Sequence, residues 1–421
     1  MSEENRFQEI NTIKEIVENN NIVAQYQPIV SLSKQKVVGF EGLSRGLNKL
    51  NSKMISPIKM FEYACNNGLA VNFDRGCRDK CLEGFKCYHC TNKDLRLFVN
   101  IEASIIEEVH GSNYFLQQVL KYGFSPENIV IEINESNVKH IDHLVAFVKQ
   151  YRGYGFLIAL DDVGTGFSNF ERISLLKPDI IKLDRSLIKD IEDSYHKQEI
   201  LRSLVNLANK IGAVVIVEGV ETEVELDYAL EYGAHLIQGY YFSKPLFLNN
   251  ELMNTLDDKI KNTAVEYKDY IHLKMKKEQI YRNKIDRHLK ELISDLEYKK
   301  SDEFDRVLQE FVYEHTDLNI ECSYILDLDG IQISNTIFAR GFSNKRDQSL
   351  MFYPAEKGSD NSLKKYYYEL VSSRLNKYIT DPYISHATGN VCRTISIIFN
   401  NALNTDTEYI LCVDFTLKQN S

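Results

Sequence analysis

A chain of 421 residues, 43% hydrophobic and 26% charged, has the make-up of a soluble globular protein of about two or three domains. Its formal net charge of −10 argues against a surface for long nucleic acid, but not against a small nucleotide held through metal ions. Residues 1–11 lack an apolar signal core, and no later run approaches the ~20 apolar residues of a membrane span. A cytoplasmic place is therefore expected, with the eight cysteines as reduced thiols.

In chain order, apolar runs rich in β-branched residues occupy 37–43, 97–102, 129–135, 157–163, 180–184, 214–221 and 236–242. Helical patterns such as 144–151 and 199–211 lie between them. Near-continuous apolar runs suit strands buried on both faces of a parallel sheet. Their alternation with helices over residues 1–250 predicts an α/β fold, a TIM-like (β/α)8 barrel. An open doubly wound sheet is the rival, but it gathers its ligand at one crevice. Here almost every run ends in a polar residue suited to chemistry.

Residues 251–315 are rich in Lys, Glu, Asp and Leu and hold no proline, which predicts a linker of one or two long helices. Residues 316–421 change character again. A run at 322–328 meets the turn pair Asp329-Gly330 and then a run at 331–336. A helical stretch at 361–375 and strand-like runs at 378–385, 391–399 and 408–416 complete a small α+β domain.

The C-terminal strand ends of a barrel converge on one mouth. That gathers Glu41, Asn100, Glu132, Asp161, Asp162, Lys182, Glu218 and Gln238. Five carboxylates so placed repel one another without counter-charge, and Mg²⁺ or Mn²⁺ suits an all-oxygen set. Alternation can fail where a strand ends, which lets both Asp161 and Asp162 reach the mouth. One of them then bridges two ions ~3.5–4 Å apart, as in-line attack on a phosphodiester requires. Lys182 brings positive charge to a water or a phosphoryl oxygen, and Gly164 and Gly166 permit a tight loop beside the ligand. Any one of these residues alone is more often a helix cap or a surface charge; the repetition strand after strand carries the inference.

The motifs, taken together, resemble the EAL-domain family of cyclic di-GMP phosphodiesterases over residues 5–247. They are Tyr26-Gln27-Pro28-Ile29-Val30, Gly39-Phe40-Glu41-Gly42-Leu43-Ser44-Arg45, Val99-Asn100, Glu132-Ile133-Asn134-Glu135, Asp161-Asp162-Val163-Gly164-Thr165-Gly166, Lys182-Leu183-Asp184, Glu218-Gly219-Val220-Glu221 and Gln238-Gly239-Tyr240-Tyr241-Phe242. Gly42 stands where the family usually has alanine, and Val163 where it has phenylalanine. The resemblance implies two divalent cations, one held by Glu41, Asn100, Glu132 and Asp161, the other by Asp161, Asp162 and Glu218. It implies that Lys182 and Gln238 order the attacking water, and that Glu135 anchors the loop after Asp162. Glu221 then supports the site from behind, and Arg45 and Asp184 contact the substrate. The implied reaction opens cyclic di-GMP to linear 5′-pGpG, in a homodimer. The alternative is a non-catalytic cyclic di-GMP receptor that signals through the linker.

Cys77, Cys81, Cys87 and Cys90 form a cluster with His89 inside it. Cys87 and Cys90 have zinc-like spacing, whereas Cys77 and Cys81, one helical turn apart, suit ligation or core packing alike. Position before the run at 97–102 places the cluster near the non-catalytic end of the barrel. Residues 316–421 resemble PAS/Cache-type sensor domains, through Leu326-Asp327-Leu328-Asp329-Gly330, Tyr366-Tyr367-Tyr368 and Thr380-Asp381-Pro382-Tyr383. That resemblance implies a small ligand among Tyr367, Tyr383, Arg393 and Asp414; the competing reading is an aromatic core in a domain that only dimerises.

Overall fold

The computed structural model describes residues 3–48, 54–106, 111–134, 141–165, 170–341, 355–385, 388–403 and 407–417. Glu135 and Gly166 lie outside the described residues. The chain divides into two compact units, Met1–Tyr270 and Ile271–Ser421. None of the described helices is long and apolar enough to cross a membrane.

The first unit opens with α1 (Glu3–Glu18), β1 (Ile22–Ser31), β2 (Lys36–Leu47) and the short β3 (Met54–Ile55). Helices α2 (Pro57–Asn66) and α3 (Ala70–Thr91) lead to β4 (Arg96–Ile101). Then come α4 (Ala103–Ile106), α5 (Tyr114–Lys121), β5 (Ile129–Asn134), α6 (Ile141–Gly153), β6 (Leu157–Val163) and α7 (Phe170–Leu176). The unit continues with β7 (Ile180–Leu183), α8 (Arg185–Ile188), α9 (Tyr195–Ile211), β8 (Val214–Val217), α10 (Glu223–Glu231) and β9 (Leu236–Ile237).

Eight strands close in the order β1-β9-β8-β7-β6-β5-β4-β2, and pairing of β1 with β2 completes the barrel. Six of the pairings are parallel, but β1 is antiparallel to both of its neighbours. The expectation of a wholly parallel sheet is corrected there. Strand β1 escaped notice because Gln25, Gln27 and Pro28 interrupt its apolar run. Inside the barrel, Ile29, Phe98, Val130, Ala159, Ile180 and Ile216 form one apolar layer. Gly39 completes it without a side chain, since a Cβ there would lie 2.6 Å from Arg96 O and 2.9 Å from the Phe98 ring. The helices pack outside, with α10 started by a Thr222–Glu225 capping box and α9 ended by Gly212 at φ 77°.

Helix α11 (Asn250–Glu297) contributes to both units: Leu256 and Ile260 join the barrel core, while Ile285, Leu289, Leu292 and Leu296 join the core of the second. Helix α12 (Phe304–Glu314) belongs to that second core too, through Val307, Leu308, Phe311 and Val312. The two ends of the segment expected as a helical linker are thus built into the cores of the two units. Its apolar residues recur at three- and four-residue steps at either end, and such a stripe needs burial.

The second sheet, wholly antiparallel, holds β10 (Ile320–Asp327), β11 (Ile337–Phe338), β12 (Lys377–Ile379), β13 (Tyr383–Ile384), β14 (Val391–Asn400) and β15 (Glu408–Thr416). The order is β11-β10-β15-β14-β12, with β13 also on β14. One face meets α11 and α12, and the other packs under α13 (Lys365–Ser372). Asp329-Gly330 does turn the chain, with Gly330 at φ 86° and Asp327 Oδ1 accepting from Asp329 and Ile331 N–H. The strand expected at 331–336 is reduced to isolated bridges at Ile331 and Gln332. There the buried Gln332 amide bonds Ser334 O and Thr336 Oγ1, tying the segment to itself. Of the four residues expected around a ligand, Tyr383 and Asp414 share a face. Arg393 lies on the opposite face of β14 by strand alternation, and Tyr367 donates to Leu328 O at 2.6 Å.

Candidate active site

The barrel's apolar layer dictates the next one. Two residues beyond Gly39, Phe98, Val130, Ala159, Ile180, Ile216 and Leu236 stand Glu41, Asn100, Glu132, Asp161, Lys182, Glu218 and Gln238. Strand side chains repeat every second residue, so all seven point inward in one ring above the apolar layer. On the antiparallel β1 the same layer lies two residues before Ile29 and supplies Gln27, which the sequence reading missed. Gln238 Nε2 donates to Gln27 Oε1 at 3.2 Å and to Glu41 Oε2 at 2.6 Å.

Lys182, 1% exposed, stands at the centre of the ring. Its Nζ lies 2.5 Å from Glu132, 2.6 Å from Glu218, 3.0 Å from Asp161 and 3.6 Å from Glu41. Asn100 Nδ2 donates to Glu41 Oε1 at 2.9 Å and to Glu132 Oε2 at 3.0 Å. Burial opposes the charge of Lys182, but the four carboxylates outweigh it and hold the ammonium well above its usual range. Burial likewise raises Glu41, yet Lys182 and the Gln238 and Asn100 amides keep it below the ordinary carboxylate range.

One ammonium does not balance four carboxylates. Burial first, then Glu41, pushes Glu132 well above its usual value. Burial, opposed by Lys182 and reinforced by Asp161 and Glu41, pushes Glu218 up to about 8. Glu132 Oε1 and Asp161 Oδ1 touch the ammonium but lack a well-aligned hydrogen bond.

Both aspartates reach the mouth, for a reason visible in the backbone. The register of β6 against β7 shifts between Leu160 and Val163, and Asp162 takes the left-handed conformation at φ 55°. Asn134, also unassigned from sequence, donates from Nδ2 to Asp162. Burial and the neighbouring Asp161 raise Asp162 to about 6. Among the described residues, Asp161, Asp162 and Glu218 offer three oxygens within 4.8 Å of one another. Excess negative charge, unsatisfied buried oxygens and this convergence all fit hard divalent cations.

Carboxylates raised in this way predict a proton-linked metal site. In the metal-free fold, Asp162 keeps its proton up to about pH 6 and Glu218 up to about pH 8, above the range where the unfolded chain loses them. Their contribution to stability therefore declines as pH rises through about 6 and 8. A cation needs the ionised forms, so stabilisation by Mn²⁺ is expected to grow across the same window. Thermal melts with and without Mn²⁺ at the two ends of that range check it; equal shifts at both ends would contradict it.

The remaining residues surround the ring. Arg185 forms a two-pronged pair with Glu221, Nη2 to Oε2 at 2.6 Å, and its stem fills the space beside Gly219 at φ 65°. That pair ties the loop following Glu218 to α8. Asp184 caps α8, accepting from Ser186 N–H at 2.8 Å. Arg45 is half-buried, donates to Ser44 O at 2.9 Å, and lies within electrostatic reach of Glu41 and Tyr240. A cavity of about 500 Å³ opens beside the ring, lined by Ser44, Cys77, Cys81, Asn100, Glu102 and Asn134 among others. In its wall Arg78 meets Asp74 at 2.6 Å, and Asp74 accepts from Glu102 N–H at 3.5 Å.

Cys77 and Cys81 therefore lie at the catalytic end, which corrects the expected position. Cys87 and Cys90 are exposed near the far end of α3 and do not gather with them. A barrel helix runs back from the strands' C-terminal ends, so its first half is near the mouth and its last half is not. Cys81 also bears on the glycine at 42. A Cβ there would lie 3.0 Å from both Cβ and Sγ of Cys81. Gly42→Ala is expected to destabilise by about 1–2 kcal/mol through overpacking. Adding Cys81→Ala, which removes Sγ but keeps Cβ, should recover part of it, measured by urea unfolding; strictly additive losses would refute the Sγ contact.

The EAL domain family model matches residues 10–245. The chain is 28% identical over 396 residues to the uncharacterized EAL-domain containing protein YkuI of Bacillus subtilis (strain 168), covering 90% of this chain and 91% of that one. The crystal structure of B. subtilis YkuI in complex with substrate c-di-GMP and calcium superposes with a TM-score of 0.75 at 25% identity, over 97% of this chain and 99% of that one. A probable cyclic di-GMP phosphodiesterase, PdeA of Escherichia coli (strain K12), is 27% identical over 237 residues, 56% of this chain and 32% of its own. The match thus spans about a third of PdeA.

Proposed function

Because the chain belongs to the EAL domain family, we propose that it is a cyclic di-GMP phosphodiesterase that opens one phosphodiester bond to give linear 5′-pGpG. The observation that carries this reading is the inward ring of Glu41, Asn100, Glu132, Asp161 and Glu218, with Asp162 brought beside it. In this reading Glu41, Asn100, Glu132 and Asp161 hold one divalent cation, and Asp161, Asp162 and Glu218 a second. When bound, Mg²⁺ or Mn²⁺ supplies Lewis-acid polarisation and a lowered pKa for water.

The chain's own residues do the positioning. The Lys182 ammonium orients the attacking water and offsets charge on the phosphoryl oxygen, while a ring carboxylate takes the proton. Gln238, held by Gln27 and Glu41, orders the same water. Asn134 fixes Asp162, and Glu221 with Arg185 fixes the loop that follows Glu218. Glu135 anchors the loop after Asp162; Arg45 and Asp184 contact the nucleotide. Residues 316–421 act as a PAS/Cache-like sensor that regulates turnover, and two copies pair through the barrel near the paired aspartates. Eight cysteines without a disulfide suit a cytoplasmic protein.

The test is chromatography of cyclic di-GMP after incubation in Mg²⁺, Mn²⁺ or chelator. Metal-dependent pGpG that disappears in Glu41→Ala is the expected result. Intact nucleotide in every condition would overturn the enzyme reading, and a binding titration would then show whether a receptor remains.

A further inference from the structure

The second unit buries an acidic centre that hydrolysis does not use. Asp414 of β15 lies between its cross-strand partners Cys322 of β10 and Thr394 of β14. It is 7% exposed; Oδ2 accepts from Cys322 Sγ at 3.5 Å, and Oδ1 is buried without a hydrogen-bond partner. Glu321, 1% exposed, joins it from the irregularity between Ile320 and Cys322. Thr388 Oγ1 donates to Glu321 at 2.5 Å and Thr416 Oγ1 at 3.5 Å. Thr416 shares the Asp414 face by strand alternation, so both carboxylates address the same side of the sheet.

Every donor named around the two is a neutral hydroxyl or thiol. Among the described residues, no Lys, Arg or His forms an ion pair with either carboxylate. Burial, with Glu321 nearby, raises Asp414 to about 6, against hydrogen bonds from Thr394, Cys322 and Tyr383. A buried carboxylate with an unpaired oxygen and no counter-charge is a costly arrangement, unless a ligand brings the missing cation.

The surroundings narrow the ligand. Tyr324, Tyr366 and Tyr383 all lie within electrostatic reach of Asp414. The Tyr324 and Tyr366 rings are 6.2 Å apart, and the Tyr383 hydroxyl meets Thr394 Oγ1 at 2.7 Å. Aromatic side chains beside carboxylates suit an organic cation. A primary ammonium offers three donors, enough for Asp414 Oδ1, Glu321 and a hydroxyl. A metal ion fits less well: among the described residues no third His, Cys, Asp or Glu ligand atom converges with these two. Burial also holds the Cys322 and Cys412 thiols well above their usual range, far from ligating thiolates.

We propose that Asp414 and Glu321 form the anionic pole of a site for a small organic cation bearing a primary ammonium, walled by Tyr324, Tyr366 and Tyr383. The site's regulatory meaning rests on the sensor reading; binding itself does not, and it is read without cyclic di-GMP, so its failure leaves the hydrolysis reading untouched. The full chain is titrated by calorimetry with ethanolamine and putrescine, and with uncharged ethylene glycol and CaCl₂ as comparisons. The expected result is saturable amine binding, no response to the glycol, and affinity weakened about tenfold or more in Asp414→Asn. Glu321→Gln gives the second arm should Asp414→Asn fail to fold by circular dichroism. Absence of amine binding, amine binding undiminished in the folded variants, an equal response to the glycol, or a Ca²⁺ response that Asp414→Asn diminishes would overturn the proposal.

Discussion

Replacing Glu132 by glutamine is expected to cut cyclic di-GMP turnover by about a thousandfold or more while leaving the metal-free fold at least as stable. Glu132 is 0% exposed and its carboxyl is forced well above its usual range by burial and by Glu41. A glutamine keeps the shape; with its one oxygen kept on Lys182 Nζ, 2.5 Å from Oε1, it gives up only the bond from Asn100 Nδ2, 3.0 Å from Oε2. It removes one repelling charge from a ring that holds a single ammonium. The metal-free chain should therefore hold or gain stability, by about 1 kcal/mol or ~2–4 °C in Tm. In Mn²⁺ the order reverses, because wild type recovers its ligand and the variant does not. Turnover and paired melts check both halves. A metal-free Tm that falls, or turnover within tenfold of wild type, would sink the argument that this ring trades stability for metal binding.

Lys182→Met should behave in the opposite way. It strips the counter-charge from four carboxylates between 2.5 and 3.6 Å away. Breaking a buried pair by removing one partner costs about 3–5 kcal/mol. Part of that is recovered here as the carboxylates take up protons. The metal-free variant is expected to lose several degrees in Tm, most at high pH. Added Mn²⁺ should restore much of the stability, since cations supply the missing positive charge, yet not the turnover. Recovery of fold without recovery of hydrolysis separates positioning of the nucleophile from holding the ring together. Turnover that returns along with stability would assign Lys182 to structure alone.

The two variants show why so much of the ring was legible. Each metal-type residue follows an apolar residue by two on a short buried strand, so Phe98 and Asn100, Val130 and Glu132, or Ile216 and Glu218 announce a common layer. Strand periodicity is local, and it needs no partner to be read. Gln27 obeys the same rule in reverse, two residues before Ile29, but on a strand whose glutamines and proline disguised it. Asn134 and Arg185 were hidden for another reason. Their importance lies in what they touch, Asp162 and Glu221, across neighbouring strands or loops.

What the sequence by itself determined is therefore the barrel, the small α+β unit and the identity of the carboxylate ring, because these follow from local period and residue chemistry. Tertiary structure alone decided the rest. It closed the barrel with an antiparallel strand, set Cys77 and Cys81 by the mouth, buried the two ends of the linker segment in separate cores, and placed Asp414 and Glu321 together while turning Arg393 away. Each of these depends on which face of an element meets which neighbour, a choice made by packing between residues distant in the chain, and no local pattern encodes it.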